Sequence, residues 1–171
     1  MPEQKTLSRA RADKRAGKTP STQAGEFVKE EVDRVRAGKH GVRSAKQAIA
    51  IGLSKARRAG VDLKAPAKGT ASEATRKKAA KDNAAGKHKP TAASTESKTK
   101  RSRASTEALK RESSAGASKK AMSAQAKSTA SRRPASSRSA AAKKAASTKG
   151  AAGRSAAAKK AAHTRAARAH H

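Results

Sequence analysis

The chain has 171 residues, 43 of them Lys or Arg against 12 Asp or Glu, with a formal net charge of +31 and a pI near 11.6. Apolar residues make up 34%, but 44 of them are Ala and only 14 are larger, ten of these falling between Phe27 and Leu63. So little bulk against so much like charge excludes a large core and a walled catalytic pocket, and it points to a polyanionic partner.

Residues 1–19 are polar and basic, with Leu7 the one sizeable apolar side chain after Met1. They read as a basic arm with transient helicity. From Pro20 the pattern changes. Phe27, Val28, Val32 and Val35 recur at helical spacing, Gly38 follows as a C-cap, and acidic residues gather in the first half, where the helix dipole favours them. A short loop, residues 39–43, leads to a second helix that Ser44 and Gln47 open with capping-box spacing. Its stripe is Ala45, Ala48, Ile49, Gly52, Leu53 and Ala56. Gly60 stands at the left-handed cap, and Val61 is placed to fold back on Ala56. The small residues of the stripe invite close approach, so Phe27, Val28, Val32 and Val35 are expected to pack on Ile49, Leu53 and Ala56 in an antiparallel hairpin over residues 20–64. A unit of this size lies at the edge of independent folding, which leaves homo-oligomerisation through the hairpin open.

After Leu63 disorder is expected. Residues 65–112 form a basic linker interrupted by Pro66 and Pro90, with helix formation on binding over 71–85 and a short helix over 106–112. Residues 113–171 hold 14 Lys or Arg and no Asp or Glu. Within this low-complexity tail, residues 138–149 return as 154–165 with ten of twelve positions identical. The fold class is therefore mainly α with extensive disorder, one helical hairpin, and Ala-rich tails that become helical when bound.

The chemistry follows the charge. Lys119, Lys120, Arg132, Arg133, Arg138, Lys143, Lys144, Lys149, Arg154, Lys159, Lys160, Arg165 and Arg168 are the candidate phosphate contacts. Each phosphate neutralised releases condensed counterions, so binding should be salt-steep and blind to sequence. Phe27 is the only aromatic residue, so the tail lacks the Tyr, Trp and Phe that stack on unpaired bases. Lys46, Lys55, Arg57 and Arg58 form a secondary basic patch on the second helix, opposed by Glu26, Glu30, Glu31 and Asp33 unless those pair with it. Structural hairpin or dimerisation element is the favoured role for the pair of helices.

No Cys is present, which excludes disulfides and thiolate metal sites. His40, His88, His163, His170 and His171 are scattered, His40 reads as a turn residue, and the terminal pair could be a cloning remnant. No catalytic set, metal site or cofactor loop is found, so neither enzymatic activity, cofactor nor small-molecule substrate is expected. The chain has no apolar run of membrane-spanning length and no secretory signal, which makes a cytoplasmic protein the default.

Residues 20–64, and above all the string KQAIAIGLSKARRAG at 46–60, resemble a small helical domain of unknown function found in short basic bacterial proteins. That resemblance implies a bacterial source and a helical unit, with no activity or site residues to carry over. The composition of residues 113–171 is similar to the Lys/Ala-rich region of linker-histone-like bacterial proteins, which implies nucleoid-associated DNA binding; the winged-helix domain of linker histones proper is missing. The expected function is sequence-nonspecific DNA binding that neutralises phosphates and bridges or compacts the duplex. RNA or ribosome-associated binding, and a protein-interaction hairpin with a solubilising tail, are the alternatives.

Overall fold

The computed structural model describes residues 2–87 and 95–169, without the side chains of residues 95–99, 101, 168 and 169. It is mainly helical. In chain order the elements are α1 (Gln4–Arg15), α2 (Pro20–Arg36), α3 (Ala45–Arg58), α4 (Glu73–Lys87), α5 (Thr95–Lys110), a 3-10 turn at Ser114–Ala117, α6 (Lys119–Ser131) and α7 (Ala135–Ala169). No strand occurs among the described residues. The chain divides into two compact units, Met1–Gln125 and Ala126–His171.

Within the first unit, α2 and α3 pack antiparallel. Ala24 and Phe27 from the start of α2 meet Ala56 from the end of α3, while Val32 and Val35 meet Ala48 near its start. Midway, Gly52 lets α3 ride against the backbone of Val28 at a spacing that leaves no room for a Cβ. Ile49 is only partly buried, and Ile51 rather than Ile49 lines the second cluster. Ser44 caps α3 by accepting from the Gln47 amide at 3.3 Å, and the Gln47 side chain accepts from the Arg43 amide at 2.7 Å, one residue before the cap. Gly60 donates to Arg57 and Val61 to Ala56, the paired bonds of a left-handed helix stop, and Val61 joins the core beside Ala56.

The unit extends well beyond residues 20–64. Residues 4–15 form a packed helix rather than a transiently ordered arm, since α1 buries Thr6 and Ala10 and sets Leu7 against Phe27 and its neighbours. Small side chains permit close approach where large ones are missing. Leu63 is likewise core. The linker stretch holds α4, which buries Ala79 and accepts from Ser54 on α3 through Asp82 at 2.7 Å. Asn83 donates to the Leu63 carbonyl at 2.8 Å.

A second departure concerns residues 109–122. Gly41 donates to the Leu109 carbonyl and Val42 to that of Ser113, both at 2.9 Å, while Arg36 donates to the Ala117 carbonyl at 2.8 Å. Ala117 is fully buried with Val32, Val35, Val42 and Ala48, and Met122 packs on the same cluster. The α2–α3 loop is thus capped by a segment that composition assigns to linker and tail. The second unit is mainly helical over its described residues. Ala, Lys and Arg are all strong helix formers.

Candidate nucleic-acid interface

The carboxylates of α2 are occupied. Glu26 pairs with Arg9 at 2.6 Å and ties α1 to α2. Asp33 pairs with Lys29 at 2.7 Å. Glu31, fully buried, receives the Lys55 ammonium at 2.5 Å on one oxygen, and the His40 Nε2 lies 3.3 Å from the other. Glu30 accepts from the Glu3 amide and from Arg34, each at 3.1 Å. Burial works against the Glu30 charge, but hydrogen bonds from Thr6, Glu3 and Arg34, with Lys55 nearby, outweigh it and hold the carboxyl below its ordinary value. The acidic cluster of α2 is therefore neutralised internally. A small cleft between α1 and α2 exposes the edges of these pairs and is lined by Glu3, Thr6, Arg9, Glu30, Asp33 and Arg34 among others.

That pairing halves the secondary basic patch. Lys46 and Arg58 are exposed, but Lys55 is committed to Glu31, and Arg57 is buried with a guanidinium nitrogen directed at the Lys64 carbonyl. The Lys55 charge is neutralised by Glu31 and the Arg57 side chain is buried, so both are removed from the candidate contacts. His40 bridges the Gly41 carbonyl and Glu31, a structural role in the loop. His163 lies on α7, while His88, His170, His171 and Pro90 lie outside the described residues.

The tail cations behave differently. Lys119 and Lys120 open α6 in the first unit, and Arg132 and Arg133 follow α6 in the turn before α7. Arg138, Lys143, Lys144, Lys149, Arg154, Lys159, Lys160 and Arg165 stand on α7, as does Arg168 by its backbone. All those with described side chains are exposed, and none has a carboxylate within reach in its own segment, because residues 113–171 contain none. Arg133 donates to the Ser137 hydroxyl at 2.9 Å, and Arg154 donates to the Ala146 carbonyl at 2.6 Å. Neither bond removes charge. At Gly150 the backbone leaves the helical region (φ 65°, ψ 172°), so α7 is two helical rods, one on each side of the break.

Phe27, the one Phe, Tyr or Trp in the sequence, is 1% exposed, so the described surface offers no benzene or indole ring for base stacking. Among the described residues no cluster of three or more His, Asp or Glu is placed to hold a metal ion. None of their helices is long and apolar enough to cross a membrane.

Fold and surface together define a mainly helical, strongly basic protein with one packed unit and one cationic helical segment. Residues 11–69, which take in the end of α1, all of α2 and α3 and the turn at Gly69, match a family described as a family of unknown function (DUF6496). The match supports a helical domain of that kind over about a third of the chain. No curated protein and no solved structure matches it.

Proposed function

We propose that this protein binds nucleic acid without sequence preference, duplex DNA foremost, in a histone-like and nucleoid-associated role. One observation carries the reading: residues 113–171 bear 14 cations and no anion, and most of those cations are displayed on exposed helix. Such a segment meets phosphates at every turn and carries no zinc-finger or basic-zipper pattern that would set its side chains against particular base edges. Burial of Phe27 speaks against single-stranded targets, whose unpaired bases would need stacking partners. Linker-histone-like compaction is the physical analogy, resting on shared composition.

The test is a titration of a random-sequence duplex at several salt concentrations with the full chain and with residues 1–125. The shorter chain keeps Ala117 and Met122 in the core and loses 12 of the 43 Lys and Arg. Truncation at 112 would instead strip the packed unit. Full-length affinity should fall steeply with salt, and the slope of log K against log salt should shrink by up to about 10 in the truncated chain. Equal binding by both chains would remove the tail from the function. Structured RNA as competitor at fixed salt separates the RNA alternative, which wins if it displaces the duplex at substoichiometric amounts.

A further inference from the structure

We infer that the tail cross-links two duplexes instead of coating one. The inference rests on the phosphate-binding reading above and specifies how the same cations are used.

The break at Gly150 falls between the two copies of the repeat, so each rod carries one copy: residues 138–149 before it and 154–165 after it. On a helix of 3.6 residues per turn, Arg138 and Lys149 return to the same side, about 20° apart, while Lys143 and Lys144 stand about 140° and 240° round from Arg138. The cations of one rod therefore form three stripes at nearly even intervals, with Ala and Ser between. In the second rod, Arg154 and Arg165 share one stripe and Lys159 and Lys160 take the other two. A helix adapted to lie along one duplex would gather its charge on the applied side. This arrangement has no such side.

Screening decides what the outward stripes can do. A helix with its side chains is about 10–12 Å across. The Debye length at physiological salt is about 8 Å. A stripe turned away from the first duplex is thus a screening length or more from it and gains little there. With no carboxylate anywhere in residues 113–171, nothing within the segment compensates that stripe. A second duplex on the far side does, and releases its own counterions in doing so. Each rod then sits as a cationic spacer between two phosphate surfaces, and the turn at Gly150 lets the two rods take different directions.

The experiment is a charge-conserving shuffle in the full chain: Ala142→Lys, Lys143→Ala, Lys144→Ala and Ala145→Lys, with Ala158→Lys, Lys159→Ala, Lys160→Ala and Ala161→Lys. Composition, net charge and helix propensity are unchanged, but the moved lysines now lie within about 40° of Arg138 or Arg154. Two readouts are taken at one salt concentration: affinity for a single fluorescent duplex, and capture of that duplex by an unlabelled duplex fixed to beads. The wild-type chain should capture the free duplex. The shuffled chain should bind a single duplex within about threefold of wild type yet capture at least about fivefold less, because the charge count is kept and only its sidedness is lost. Equal capture by both chains overturns the inference, as does a wild-type chain that binds one duplex and captures none. A wild-type chain that binds no duplex at all sinks the parent reading instead.

Discussion

Glu31 keeps its carboxylate inside the protein, and Lys55 is what makes that tolerable. Breaking a buried pair strands the remaining charge, whereas replacing both partners by apolar groups can be nearly neutral. Lys55→Met should therefore cost about 3 kcal/mol in urea unfolding, and adding Glu31→Met should recover much of the loss. A Lys55→Met protein as stable as wild type would show that His40 alone suffices for Glu31. Glu30 gives a pH signature. Its carboxyl is held below the ordinary 4.5, so the folded state binds a proton less readily than the unfolded chain. The resulting stabilisation is complete above pH 4.5 and is lost as pH falls through the depressed folded value. Glu30→Gln should flatten that acid limb of the stability profile and leave the neutral region parallel to wild type. Thermal midpoints from pH 3 to 7 provide the check.

At the scale of elements, glycines set how closely neighbouring segments can approach. A Cβ on Gly52 would stand 2.7 Å from the Val28 Cα, so Gly52→Ala must push α2 and α3 apart. Overpacking costs about 1–3 kcal/mol, against about 1 kcal/mol recovered from better helix propensity, so net destabilisation is expected in chemical unfolding. Gly41 abuts the backbone of Glu112, and a side chain there has nowhere to go. Gly41→Ala should release residues 109–118 from the loop, seen as faster hydrogen exchange at the Val42 amide while amides within α2 keep their protection. The helices α2 and α3 are legible in sequence because large apolar residues mark their period and caps mark their ends. The helices α1 and α4 are not, because they bury Thr6, Ala10, Ala79 and Asp82, which carry no hydropathic signal. A different signal is present: Arg-Ala-Gly occurs at 15–17, 36–38 and 58–60, and each ends a helix, with positive φ at Gly17, Gly38 and Gly60. The docking of residues 109–122 rests on backbone bonds and on Ala117, and no periodicity encodes either.

Over the whole molecule, the charge surplus lies where composition puts it, and the tail half of the candidate interface was readable from residue counts alone. The secondary patch was readable only in part, since the direction in which Lys55 and Arg57 turn depends on Glu31 and the Lys64 carbonyl, which sequence spacing does not reveal. On the proposed reading, contacts spread over many equivalent cations make single changes mild. Lys159→Ala should lower the salt slope by about one unit or less and reduce affinity only slightly. A large loss from that change, measured in the same salt titration, would point to a specific site in place of a diffuse one.

The repeat with its glycine break has a further consequence, for how this segment can change in descent. No large apolar side chain follows Met122, so the rods have no core packing to keep in register when residues are inserted or lost. A 16-residue copy can be duplicated or deleted without an error to correct elsewhere in the fold. On the proposed reading, valency toward a polyanion then becomes a heritable length, adjustable one copy at a time, while residues 1–125 remain under the ordinary constraints of a packed interior.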